Sequence, residues 1–246
     1  MQQREEGICV NTSSTPLESF SSPFHKDYWR CAAAEFTNPR TIIIAAMITA
    51  LRIILKSISI PIAPSLNITF GFYANALGSM IYGPLVGLAS GAISDTLGAF
   101  LFPKGTYFFP FIITEMAGSF IYGLFLYRAK LSVGRVVLSK FSVSMICNLL
   151  LTPILMKWYH AYFATESTYK FFTLIRALKN VALFLPEAFL LVLFLFAIMP
   201  ITSRMKLTPQ TDAKPEFTRR NIIAVIILLL VSIAAVCFLV YLLHQK

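Results

Sequence analysis

The sequence predicts an all-α polytopic membrane bundle: a core of six hydrophobic helices followed by a seventh, C-terminal transmembrane helix. Three observations predict it. Hydrophobic residues make up 57% of the chain and charged residues only 13%, whereas soluble domains carry about 25% charge. The apolar residues fall into long runs, and a hydrocarbon core of ~30 Å needs ~20 of them per helix. Lys and Arg gather on alternate connections between the runs. In lipid the backbone must satisfy its own polar groups, which helices do within a single segment.

Residues 1–38 are polar, with Glu5, Glu6 and a Ser/Thr/Pro-rich stretch, and read as a disordered cytoplasmic tail with an interfacial piece near Tyr28 and Trp29. The membrane domain is expected over 39–207. Its first span is 41–60, closed by Pro61 and Pro64. The second is 66–82, ended by Gly83-Pro84, and the third 85–102, ended by Pro103. The fourth is 107–127, the fifth 136–158 with Pro153 inside, and the sixth 172–199 with Pro186 inside. Very short turns make the first four spans antiparallel neighbours. A linker, 208–220, leads to the additional helix within 221–246, whose apolar run carries no charged side chain.

Orientation follows from the excess of Lys and Arg on cytoplasmic segments. With the N-terminus in the cytoplasm, the inner segments hold Arg40, then Arg128, Lys130, Arg135 and Lys140, then Arg204, Lys206, Arg219 and Arg220. The outer ones hold little beyond Lys104, Lys157 and Lys170. The net charge of +10 therefore reads topology in a plasma-membrane protein. No basic stripe interleaved with aromatics points to nucleic acid. Cys9, Cys31, Cys147 and Cys237 form no CxxC pair, and His25, His160 and His244 lie far apart, so neither a disulfide framework nor a metal site is indicated. No HExxH, GxSxG or phosphate-binding loop occurs. Neither enzyme nor resident cofactor is expected, and ATP-driven work would need other subunits.

The informative residues are polar ones inside apolar spans, because a charge at the bilayer centre costs ~2.5–3.5 kcal/mol on insertion scales. Ala45, Thr49, Arg52 and Lys56 form one stripe on the first helix. Arg52 and Lys56 either snorkel to the outer surface or wall a site for an anionic ligand. Ala46 and Ala50, a quarter turn away, let another helix approach. Gly71, Asn75, Gly78 and Tyr82 share a face of the second helix. Gly87, Gly91, Ser94 and Gly98 share one on the third, beside Asp95, which needs a partner or a proton. The outer loop from Phe102 to Pro110 sets Lys104 among aromatics that include Tyr107, Phe108 and Phe109. It is either an interfacial belt or a lid over a flat ring. Arg176, Asn180 and Glu187 share a face near Lys179. They suit a structural ion-pair network with Asp95 or Glu115, or a ligand site in which Arg holds a carboxylate through two hydrogen bonds.

In order and spacing, several runs resemble the S components of energy-coupling factor vitamin transporters. They are FGFYANAL from Phe70, Gly83-Pro84, GLASGAISDTLG from Gly87, FPKGTYFFPF from Phe102 and IYGLFLY from Ile121. Ser132, Arg135 and Lys140, NLLL from Asn148, and RALKN from Arg176 with Pro186 and Glu187 narrow the likeness to the folate-specific S component. It implies a six-helix substrate-binding subunit that captures folate, or a related vitamin, from outside. The implied partners are a transmembrane T subunit and two cytoplasmic ATPases within the lipid bilayer. It also implies T-subunit docking through an AxxxA pattern, matched by Ala46 and Ala50. The site residues it implies are Arg52, Asn75, Lys104, Tyr107, Phe108, Phe109, Asn148, Arg176, Lys179 and Asn180. The chain departs from the family pattern at Thr106 and over 152–158. Two rivals remain: an S component for another vitamin or precursor, and a proton-coupled carrier using Asp95, Glu115 and Glu187.

Overall fold

The computed structural model describes residues 20, 23–63, 66–103, 106–163 and 174–208, with helical positions 223, 226, 227 and 230. For 59–63, 66–68, 174–179, 181 and 182 it describes the backbone alone. The tail up to residue 19, the linker from 209 and most of the seventh helix lie outside the described residues.

Helix α1 (Lys26–Ala34) precedes α2 (Pro39–Ser57). Asn38 caps α2, its side chain accepting from the Arg40 N–H at 3.1 Å, with Pro39 in the first turn where its missing N–H costs nothing. A hairpin follows, β1 (Ser59–Ala63) against β2 (Leu66–Thr69), with Ser59 opposite Thr69 and Pro61 opposite Asn67. The all-α expectation thus holds for the bundle, with one two-stranded ribbon added. The ribbon shortens both flanking spans relative to their apolar runs, because extended Ile58 ends α2 and a strand takes the residues before Gly71.

Helical hydrogen bonding then runs through α3 (Gly71–Leu101) but breaks at Gly83, whose φ of 81° and ψ of −178° are not helical. The chain folds back there. The Tyr82 hydroxyl lies over Gly78, where a Cβ would overlap it, and also meets Ser90 Oγ at 3.0 Å. Residues twelve apart on a straight helix are ~18 Å apart. The two limbs, 71–82 and 85–101, are therefore neighbours, as the Gly83-Pro84 break predicts. Glycine alone accepts this backbone readily.

A short 3-10 turn (Phe109–Phe111) starts α4 (Ile112–Leu126). Then come α5 (Val133–Val143), a π-helical segment (Ser144–Leu151), α6 (Thr152–Tyr162) and α7 (Leu174–Arg204). Pro153 cannot donate into the helix, and the turns before it widen to π. The Thr152 hydroxyl donates to the Cys147 carbonyl at 2.8 Å. Among the described residues, four helical stretches are long and apolar enough to cross a membrane: Gly71–Leu101, Phe109–Leu126, Val133–Tyr162 and Leu183–Arg204. Tyr82, Tyr122, Leu126, Leu191 and Leu195 lie at the core where α3, α4 and α7 meet.

Helix α1 falls where an interfacial piece is expected near Tyr28 and Trp29, and it is packed on the bundle rather than part of a loose tail. It docks on the end of the bundle remote from the hairpin, burying Tyr28, Cys31 and Ala32. The Tyr28 hydroxyl donates to the Gly123 carbonyl at 2.9 Å. Glu35, just beyond α1, accepts from Thr41 at 2.6 Å, Tyr127 at 2.8 Å and Arg128 at 3.2 Å. The polar composition hid these contacts, since a nine-residue helix needs only one apolar face. Cys31 is disulfide-bonded, its partner lying outside the described residues. Cysteine spacing did not signal this, because the fold and not sequence separation brings such pairs together.

Where Gly123 crosses Pro84, an added Cβ would sit 2.5 Å from the Pro84 Cα. Gly123→Ala is expected to cost ~1–3 kcal/mol by overpacking, seen as a lower thermal midpoint in detergent. Gly134→Ala, with nothing within 4 Å, is expected to be neutral or to stabilise by up to ~1 kcal/mol.

Candidate functional site

The stripe on α2 turns inward. Ala45, Thr49 and Arg52 are buried, Arg52 with 1% of its surface exposed. Thr49 donates to the Ala45 carbonyl at 2.6 Å and meets Ser90 at 2.7 Å. One turn on, the Arg52 guanidinium donates to Ser119 Oγ at 2.8 Å and pairs with Glu115 of α4. After another turn, Lys56 Nζ lies 2.8 Å from Asp95 of α3 and 2.9 Å from Glu115. Ser119 donates to Asn75 Oδ1 at 2.8 Å. Neither sequence reading of Arg52 and Lys56 holds in its simple form. They neither snorkel outward nor stand bare for an anion; carboxylates from two other helices meet them. Asp95 has the partner its position demanded.

A second pair faces this network. Lys140 of α5 lies 2.8 Å from Glu187 of α7, with its ammonium 4.0 Å from the centre of the Phe72 ring. This corrects the placement of Lys140 among the topology-setting cations. It sits two turns into α5 and is 4% exposed. Glu187 likewise pairs here rather than joining a network with Asp95 or Glu115.

Two adjoining cavities open on these groups. One, of about 420 Å³, is walled by Lys56, Asp95, Tyr107, Phe108, Phe111 and Thr114. The other, of about 290 Å³, is walled by Arg52, Asn75, Glu115, Lys140, Asn148 and Glu187. Lys56, Thr114 and Glu115 line both. Both sizes are those of small-molecule sites or just below. The larger has an aromatic side: Phe108 is packed edge-on by Phe111, Trp158 and Tyr159 at 5.6, 5.6 and 5.5 Å between centroids. The π segment presents Asn148 to the smaller.

Of the residues expected at a site, Arg52, Asn75, Tyr107, Phe108 and Asn148 converge on these cavities. Phe109 does not: it is 70% exposed and lies in neither wall. Asn180 is half-buried on α7 and absent from both walls. Lys104 and the side chains of Arg176 and Lys179 lie outside the described residues. The expected set left out Lys56, Asp95, Glu115, Lys140 and Glu187 from the walls. Their signal was present, an ionisable residue within an apolar run, but their mutual pairing was not readable.

Residues 36–202 match the family described as "ECF-type riboflavin transporter, S component". The chain belongs to this S-component family. Helices α2 to α6 and nearly all of α7 fall within the matched stretch, and α1 lies outside it. A curated relative from Clostridium novyi, "Folate transporter FolT", is 40% identical over 113 residues, which are 46% of this chain and 65% of that protein. The chain thus spans slightly less than two thirds of that relative's length. A second protein of the same name, from Leuconostoc mesenteroides, is 31% identical over 60% of this chain and 80% of its own length. Among solved structures, "Crystal structure of FolT bound with folic acid" aligns with a TM-score of 0.55 at 25% identity, covering 64% of this chain and 93% of that one. Its long apolar helices suit a membrane protein of this family.

Because Arg52 pairs with no other carboxylate among the described residues, Glu115→Gln is expected to destabilise by about 3–5 kcal/mol, the usual cost of stranding a buried charge. The double variant Arg52→Met with Glu115→Met is expected to recover most of that loss. Thermal unfolding in detergent checks both.

Proposed function

We propose that this S component captures folate, or a reduced folate, from outside the cell and hands it to a T subunit driven by two cytoplasmic ATPases. The observation that carries the ligand reading is a charge-balanced polar floor beside an aromatic wall. Three cations (Arg52, Lys56, Lys140) meet three carboxylates (Asp95, Glu115, Glu187) in this network. A balanced floor suits a neutral ring rich in hydrogen-bonding groups, such as a pterin, rather than a carboxylate. The aromatic side suits the benzoyl group. The two glutamate carboxylates then call for further cations, for which the sequence offers Lys104, Arg176 and Lys179. Both relatives carry the name of a folate transporter.

The family description names riboflavin, and a flat polar ring without carboxylates also fits a balanced floor. Ligand competition separates the two. Folate is expected to bind the purified chain tightly at one site, without ATP or partners, by calorimetry or tryptophan quenching. An excess of riboflavin should not displace it. Arg176→Ala is expected to weaken folate binding at least tenfold without lowering the thermal midpoint.

Docking to the T subunit is assigned to the outward face of α2. Ala46 and Ala50 are exposed there with Ile43, Met47 and Ile54, and small residues four apart admit a close helix. Ala46→Trp with Ala50→Trp should leave folate affinity intact and abolish assembly and uptake, read by co-purification and by transport in vesicles. The N-terminus is placed in the cytoplasm, as the Lys and Arg distribution indicates. In the seventh helix, Ile223, Ile226, Ile227 and Leu230 form an exposed apolar stripe at helical spacing, suited to lipid.

A further inference from the structure

Among the described residues, four buried side-chain polar atoms lack a hydrogen-bond partner: Asp95 Oδ2, Tyr107 OH, Thr114 Oγ1 and Tyr122 OH. All four belong to residues that wall the paired cavities, and the first three to the larger one. Buried polar groups elsewhere are served within the fold, as Glu35 is by Thr41, Tyr127 and Arg128. An unmade buried hydrogen bond costs free energy, so such atoms need a reason. Their concentration at one cavity indicates that the missing partners arrive from outside.

We infer that Asp95, Tyr107 and Thr114 determine ligand specificity by reading the 2-amino-4-oxopyrimidine edge of the pterin. The inference rests on the folate reading above. Asp95 Oδ1 is taken by Lys56 at 2.8 Å, which offsets the carboxylate's charge and fixes its plane. Oδ2 remains, and an ionised carboxylate only accepts. The ligand edge facing it must therefore donate, as an exocyclic amine and adjacent ring N–H do. Carboxylates pair in this way with base amines. The hydroxyls of Thr114 and Tyr107 can donate or accept, which suits the neighbouring carbonyl and ring nitrogens. A ligand carboxylate is rejected at this point by Asp95. The pterin therefore lies in the larger cavity, against the aromatic side formed with Phe108 and Phe111.

Two sets of variants test this. Thr114→Val and Tyr107→Phe remove hydroxyls that have no partner among the described residues. Without ligand, each variant should unfold at the wild-type temperature or above it, while the double variant should bind folate at least tenfold more weakly. An ordered water or a purely structural role predicts otherwise. Unchanged folate affinity, or a lowered ligand-free midpoint, overturns the inference. The second set compares folate with 2-desamino-folate. Wild type should prefer folate at least tenfold, and Asp95→Asn should lose that preference. If wild type binds folate but Asp95→Asn discriminates as wild type does, this inference fails and the folate reading stands. If wild type binds no folate at all, both fail together.

Discussion

An arginine that exposes 1% of its surface inside an apolar bundle needs a carboxylate to meet its guanidinium there. The pairing of Arg52 with Glu115 ties α2 to α4, and Lys56 extends the tie to Asp95 on α3. The three helices thus share one electrostatic centre whose opposite charges meet one another. Burying such charges gains little net stability and is often worse than burying hydrocarbon of the same shape. What it does gain is geometry. Each helix is held in rotation and height by a partner on another, and the cavities form around that fixed frame.

The remaining packing serves this centre. Gly83 reverses the chain so that the two limbs of α3 bring both Asn75 and Asp95 to the network. Gly91 lies so close to α4 that an added Cβ would come within 2.9 Å of the Glu115 carbonyl oxygen. Helices that approach this closely leave no room for lipid between the ion pairs. At the far end, Glu35 gathers Thr41, Tyr127 and Arg128 and locks α1 across the bundle. The cavity end is left with the hairpin and connecting segments, and the opposite end is held by polar contacts.

Much of this was legible in the sequence. The apolar runs located the helices, Gly83-Pro84 marked the reversal, and the spacing of Thr49, Arg52 and Lys56 gave a single stripe. Asp95 announced its need for a partner. The rest depended on distance in three dimensions. The partners of Arg52 lie 63 and 67 positions away, and no local pattern encodes such pairings. The Leu66–Thr69 strand read as the start of a span because alternating and continuous apolar runs are ambiguous when short. Lys140 read as a surface cation because a polar segment precedes it, although α5 begins seven residues earlier. Phe109 read as part of the aromatic lid, but adjacent residues in an irregular loop face different ways.

The π-helical segment over Ser144–Leu151 has a consequence for descent. A π turn is an α-helix that carries one residue too many. Removing one residue there would restore α geometry at almost no cost in length. Residues downstream would keep their facing, because the widened turn is what absorbs the extra residue. Trp158 and Tyr159 would stay against Phe108. A single-codon deletion at this point would therefore leave the bundle intact and alter only how this turn presents Asn148 to the smaller cavity.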